Sequence, residues 1–408
     1  MDRDSRVRRR FLFAASCVAL AATAMTFGIR ADIMDSLAAQ FHLTNEQIGW
    51  IAGTAFWGFT VSMLIGGQIC DLLGMKRLIQ LAFIAHLTGI GLTIAATGFA
   101  MLYMGTLSIG LANGFVEAAL NPLVPTLYPN SKTERLNRLH VWFPGGIVIG
   151  GLCSALLTQI GSGWRIKMLI LVAPTLAYGC LFFPARLPRS ERAQNNIPAR
   201  VMYAQALRPG FLILLFSILL TAATELGPNQ WIPSILTKTT ALSGMMVLVW
   251  ITSLEAIGRR FAGAIVSVIP PTGLLCFSAA LSAVGLWALG TAQAKLPVIA
   301  AATIYALGIC FCWPTMYGIT AERFPAGGPF LLAVIGSAGM LSDALMVPLM
   351  GRIYDIYGPG VALRYAAILP CIVTAIFAAI WLHDRAHGGY RIVHLAEAEL
   401  SKGGETTL

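Results

Sequence analysis

Apolar residues run in blocks of about twenty along almost the whole chain, and short breaks between the blocks hold most of the charge. A helix needs roughly 20 residues to cross the hydrocarbon of a bilayer, so each block is long enough to span. The blocks lack the period-two alternation that barrel strands of about ten residues require. The pattern predicts twelve helices, at 11–37, 47–70, 78–97, 100–126, 141–161, 166–184, 210–234, 242–268, 271–291, 297–319, 328–352 and 363–383. The first block opens with Arg8-Arg9-Arg10 and has small residues at Ala21, Ala22 and Ala24, as a signal peptide does. Its apolar stretch exceeds the roughly 7–15 residues of a signal core, and it is read as the first helix.

Composition agrees: 57% of the residues are hydrophobic and 11% are charged, against about 25% charged in soluble domains. A water-soluble enzyme is excluded. The net charge of +10 would suit nucleic acid, but membrane proteins concentrate Lys and Arg in cytoplasmic loops. With the N-terminus inside, about three quarters of the 28 Lys and Arg fall on that side, which predicts a multi-pass plasma (inner) membrane protein with both termini cytoplasmic. The longest polar break, with Arg186, Arg189, Arg192 and Arg200, follows the sixth helix. It divides the chain into a six-helix bundle (1–184), a cytoplasmic loop (185–209), a second bundle (210–383) and a cytoplasmic tail (384–408). The bundles echo one another. Gly67, Asp71, Gly74, Lys76 and Arg77 follow helix 2, and Gly258, Arg259, Arg260 and Gly263 lie late in helix 8. Gly163-Trp164-Arg165 between helices 5 and 6 matches Gly358, Gly360 and Arg364 between helices 11 and 12. Two related bundles place a solute site near the midplane, at their interface. The eight cysteines lie in or beside apolar blocks as small hydrophobes, implying neither disulfides nor a metal site. No cofactor is implied. Without a P-loop or a Ser, His and Asp arrangement, the chain is expected to draw energy from a gradient and not to be an enzyme.

The segment Gly67-Gln-Ile-Cys-Asp71-Leu-Leu-Gly74-Met-Lys76-Arg77 resembles the signature loop of the major facilitator superfamily, G-x-x-x-D-x-x-G-x-[KR]-[KR]. The resemblance implies an all-α polytopic fold of two pseudo-symmetric six-helix bundles, with Asp71 and Arg77 as gating residues that pair in one conformational state and so bias alternating access. Two further stretches resemble the fucose permease branch, proton symporters for fucose, galactose and glucose. One is Glu117-Ala-Ala-Leu-Asn121-Pro122, with Leu136-Asn137 after it. The other is Asp35-Ser-Leu-Ala-Ala-Gln40-Phe41, with Leu43-Thr44-Asn45. They imply proton-coupled symport of a neutral sugar or sugar-like solute. At the start of helix 5 this chain departs from the branch, with His140-Val-Trp142-Phe143-Pro144 in place of the branch's Gln and Asn residues. Helix 5 then reads Pro144-Gly145-Gly146-Ile-Val-Ile-Gly150-Gly151, which is similar to the glycine-rich motif of superfamily exporters with Pro and Gly in the opposite order. Proton-driven export of an amphiphilic compound is therefore the alternative.

Ionisable side chains inside a membrane cost several kcal/mol, from about 2.5 upward, and mark function. Glu117 lies mid-helix with Asn113 and Asn121 one turn to either side on the same face. Glu117 and Asp35 are the candidate proton carriers. Glu225 and Asn229 are one turn apart in helix 7, beside Gln230, Trp231 and Pro233. Asn113, Asn121, Glu225, Asn229 and Gln230 are candidate solute contacts, since amides both donate and accept. Trp142, Trp231 and Trp313 offer rings for a pyranose to stack on, against a structural reading as packing or interfacial groups. Glu255 and Arg259, four apart, are expected to pair as a gate, with Asp343 as a further gating candidate. His86 is read as structural. Expected partners are a small solute, protons and the bilayer, around a monomer and without nucleic acid.

Overall fold

The computed structural model describes residues 3–128, 135, 138–188, 199–266, 268–324 and 328–391. Leu136, Asn137, Arg189 and Arg192 lie outside these residues, as do the side chains of Asp71, Arg200 and Arg260.

The first bundle comprises α1 (Arg3–Phe41), α2 (Asn45–Leu73), α3 (Met75–Ile94), α4 (Phe99–Leu127), α5 (Arg138–Gln159) and α6 (Trp164–Phe182). The second comprises α7 (Pro209–Thr239), α8 (Gly244–Val266), α9 (Pro271–Leu289), α10 (Lys295–Ile309 continued by Cys312–Arg323), α11 (Gly328–Tyr357) and α12 (Pro359–Ala386). Ten of the helices are long and apolar enough to cross a membrane, and α8 and the two-part α10 supply the other two crossings of the all-α, twelve-span fold. A short helix, Ala199–Ala206, joins the bundles. α1, α7 and α11 outrun their expected bounds because a helix continues its own hydrogen bonding past the apolar block that the sequence marks.

Local chemistry fixes where helices start, stop and break. Thr44 opens α2 with a capping box, its hydroxyl accepting from the Gln47 amide at 3.1 Å while the Gln47 side chain accepts from the Thr44 amide at 2.9 Å. Gly74 separates α2 from α3 at φ +82°, a left-handed conformation that glycine takes at no steric cost. α6, α10 and α12 each break one turn before a proline: near Ile170 before Pro174, near Cys310 before Pro314, and at Ala367 before Pro370. Proline has no N–H to return to the carbonyl one turn back, and its ring crowds that carbonyl. The continuous expected span 297–319 is thus two helices, divided where the site below needs a free carbonyl.

The face where α1 begins and α12 ends is called basal here, and the opposite face distal. The apolar core forks between them. In the distal half one cluster runs through both bundles, from Phe27, Phe56 and Phe59 to Trp231, Val247, Met340 and Val347. In the basal half it divides into two, one around Leu20, Leu78, Val116 and Tyr178, and one around Phe211, Leu275, Met316 and Phe377. α2 packs closely on α11, α5 on α8 and α1 on α7. At Gly49 the approach is close enough that a Cβ would sit 2.8 Å from the Val347 carbonyl oxygen, so only glycine fits this seam.

Candidate functional site

In the basal half the two prongs of the core face each other with polar side chains. On α4, Glu117 is 7% exposed, and Asn121 Nδ2 donates to its carboxylate at 3.3 Å. Asn121 Oδ1 lies 3.2 Å from His140 Nε2 on α5. Among the described residues no Lys, Arg or His nitrogen lies within 4.0 Å of the Glu117 carboxylate, so this charge has no ion-pair partner. Tyr317 of the opposite bundle lies within electrostatic range of Glu117, and Arg259 within range of His140. Asn121, His140, Trp313, Tyr317 and Arg259 all keep partial exposure at membrane depth. Tyr317 and Trp313 stack at 5.9 Å. The chemical capacity here is a carboxylate that can exchange a proton, beside amide, imidazole and aromatic groups.

The opposite wall, in the second bundle, is built around Arg259. Its guanidinium bridges Glu225 on α7 at 3.0 Å and Glu255 one turn earlier on α8. Arg259 Nε donates to the Cys310 carbonyl at 3.1 Å, the oxygen freed by Pro314. The break in α10 therefore supplies the third acceptor that orients the arginine. Tyr305 donates to the backbone carbonyl of Thr224 at 2.8 Å. Asp343 on α11 is fully buried, and among the described residues neither carboxylate oxygen has a hydrogen-bond partner. Glu225 Oε2 and Asn229 Nδ2 are buried and unpartnered as well. Two glutamates thus hold one arginine.

The distal half closes the molecule. Asp35 accepts from Ser234 at 2.7 Å and from Lys238 at 3.0 Å, both on α7. Gln230 Oε1 accepts from Arg30 Nε at 3.0 Å. Asp355 on α11 caps the start of α2, taking the Asn45 amide at 3.2 Å, its side chain at 2.7 Å and the Glu46 amide at 2.9 Å. A carboxylate suits a helix N-terminus, where N–H groups are free and the dipole is positive. Every one of these contacts joins one bundle to the other.

The structure therefore gathers Glu117 and Asn121 with Arg259, Glu225 and Glu255 where the two bundles face each other, with Trp313 in the same region. Other candidates lie elsewhere. Asn113 is fully buried inside the first bundle, bonded to His86 Nε2 at 2.8 Å and donating to Thr26 at 3.1 Å. His86 also meets the Tyr178 hydroxyl at 2.8 Å, which explains this intramembrane histidine as an internal tie. Trp231 is 1% exposed and donates to the Val347 carbonyl at 2.9 Å, within the second bundle. Trp142 is 42% exposed, Gln230 is held by Arg30, and Arg77 is exposed beside the Gly74 turn. Arg30, Lys238, Asp355 and the buried pair Lys167–Asp32 at 2.5 Å escaped the reading of the sequence. Their partners lie far away in the chain, except that Arg30 stands out as an arginine inside an apolar block.

Comparison with known proteins agrees with this architecture. A putative niacin/nicotinamide transporter of Bacillus subtilis is 22% identical over 411 residues, covering 90% of this chain and 97% of its own. A glucose transporter of Staphylococcus epidermidis is 34% identical over 148 residues, covering 35% of this chain and 32% of its own. The crystal structure of the Escherichia coli fucose:proton symporter superposes with a TM-score of 0.64 at 16% identity, over 90% of this chain and 98% of that one. The family model of the Major Facilitator Superfamily matches residues 11–327, and with twelve spans in two bundles the chain is a multi-pass membrane transporter belonging to that superfamily.

Proposed function

We propose that the chain is a proton-coupled symporter of a small, hydroxylated, sugar-like solute, working as a monomer in the plasma (inner) membrane. The basal face is the cytoplasmic one, and both termini lie there. The forked core supports this reading. A carrier joined at one face and parted at the other exposes a central site to one side at a time, and exchanging which half is joined moves the site across. The observation that carries the proton assignment is Glu117, a carboxylate at membrane depth with one amide donor at 3.3 Å and no counter-ion among the described residues. Ionised, it is uncompensated in a low-dielectric site; a proton neutralises it without disturbing its neighbours.

In the cycle proposed, a proton and the solute enter from the outside, the loaded carrier closes over them, and the basal opening releases both to the cytoplasm. Asn121, His140, Asn229, Trp313 and Tyr317 supply amide, imidazole and ring contacts for hydroxyl groups and a sugar face. Arg259 stays fixed by Glu225 and Glu255, holding the wall opposite Glu117. Asp35, with Lys238 and Ser234, closes the outer side, and Asp71 and Arg77 serve the corresponding turn on the inner side. A membrane potential contributes about 2.3 kcal/mol per charge per 100 mV to such a cycle.

The test is purified protein in de-energised vesicles, given a panel of sugars while external pH is recorded. Solute-dependent alkalinisation outside is the expected result. Acidification means antiport and overturns the symport reading; solute exchange without any pH change overturns the coupling.

A further inference from the structure

We infer that Arg30 is an anion-recognition site, and that the transported solute carries a carboxylate which Arg30 binds when the distal face opens. This rests on the alternating-access reading above and narrows its solute from sugar-like to sugar-acid-like.

Arg30 lies in the distal third of α1 and is 5% exposed. Its guanidinium is sandwiched by aromatic rings, 4.7 Å from the Phe27 centroid and 5.1 Å from that of Phe56. Ring faces attract a cation but do not neutralise it. Among the described residues the side chain's one hydrogen bond runs from Nε to Gln230 Oε1, and Nη2 has no partner. By contrast, Lys167 is paired with Asp32, Lys238 with Asp35, and Arg259 with two glutamates. Asp32, two residues along the same helix, is already taken by Lys167 and by Ser154 at 2.6 Å. Among the described residues no carboxylate lies within 4.0 Å of Arg30. A buried guanidinium held against a neutral amide lacks its natural counter-charge.

The direction from which an anion would come follows from the packing. On the bundle side Arg30 borders a small, partly open cavity of about 20 Å³, lined also by Thr26, Ile33, Met34, Ile51 and Thr106. That is room for one water, which satisfies a donor without cancelling a charge, and it admits no solute. On the other side sits Gln230, which belongs to the opposite bundle. Parting the distal seam withdraws Gln230 and turns the guanidinium fork, preshaped for two parallel bonds to a carboxylate, toward the opening between the bundles. The amide oxygen of Gln230 then acts as a stand-in for the solute's carboxylate: it holds Arg30 in the distally closed state and yields the place when that face opens.

The experiment compares acid and neutral partners of one shape: glucuronate with glucose, gluconate with sorbitol, and benzoate with benzyl alcohol. Binding is read as the shift in thermal unfolding midpoint of the purified protein, and transport as half-saturation in counterflow. At least one acid is expected to act at concentrations tenfold or more below its neutral partner. Gln230→Glu places a permanent carboxylate on Arg30, and should raise the half-saturation for that acid at least tenfold more than for its neutral partner. Arg30→Gln should abolish the difference between partners. A panel in which no acid binds, or acids bind no better than neutral partners, overturns the inference; so does a Gln230→Glu protein with unaltered acid affinity. A purely structural role for Arg30 shifts both members of a pair together. Solute-driven alkalinisation without acid preference would sink this inference alone and leave proton symport standing.

Discussion

The two walls of the central site carry acidic groups under opposite conditions. On α4, Glu117 has one weak amide donor and, among the described residues, no cation within 4.0 Å. On α7 and α8, Glu225 and Glu255 share Arg259, which is anchored in turn by the Cys310 carbonyl. The first arrangement leaves a charge free to come and go with a proton. The second fixes its charges, because removing any member strands the others in a low-dielectric site. Family membership alone does not separate these cases; the count of counter-ions around each carboxylate does.

The contrast breaks most sharply at Arg259. Arg259→Ala strands two buried glutamates, and removing one partner of a buried pair costs about 3–5 kcal/mol. A fall in the thermal unfolding midpoint of the purified variant should follow, far beyond that of Glu117→Gln, which removes no ion pair. If Glu117→Gln destabilises as much as Arg259→Ala, the distinction between mobile and fixed charge is wrong. The distal seam gives the next effect. Gly49→Val pushes side-chain atoms into the α11 backbone at Val347 and Pro348. It should shift the population toward the distally open form, read as a longer distance between fluorophores on the distal ends of α2 and α11. Asp355→Ala removes three hydrogen bonds from the start of α2. Loss of a helix cap costs about 1 kcal/mol, so the same distance should lengthen in a smaller fraction of molecules. The smallest effect is at Asp35→Asn. Its pair with Lys238 is 38% and 46% exposed on the two side chains, and exposed pairs contribute about 0.2–1 kcal/mol. A large conformational shift in that variant would mean that the pair is buried during part of the cycle.

Much of the fold was legible because span length and charge asymmetry are properties of the chain alone. The order of helices, the bundle-to-bundle division and the turn at Gly74 all follow from local sequence. Helix ends were less legible, since α1 and α7 continue beyond their apolar blocks. The breaks in α6, α10 and α12 were missed, since each apolar block reads as continuous across Pro174, Pro314 and Pro370, and the use made of one break was hidden as well. That Cys310 offers its carbonyl to Arg259 depends on how α8 meets α10. The i, i+4 spacing of Glu255 and Arg259 foretold their contact, whereas the second partner, Glu225, comes from another helix. Asn113 and Trp231 show the converse. Their residue types fit a solute site, yet helix packing commits them to partners inside their own bundles. Periodicity identifies a polar face but does not say whether water or a neighbouring helix covers it.

The central claim is that Glu117 exchanges the proton that drives the cycle. Its most direct test compares two assays on Glu117→Gln protein in vesicles, with a solute that the parent protein carries. The account predicts that solute counterflow across the membrane persists near the parental rate while accumulation driven by an imposed pH gradient is lost. Undiminished pH-driven accumulation in that variant would contradict it.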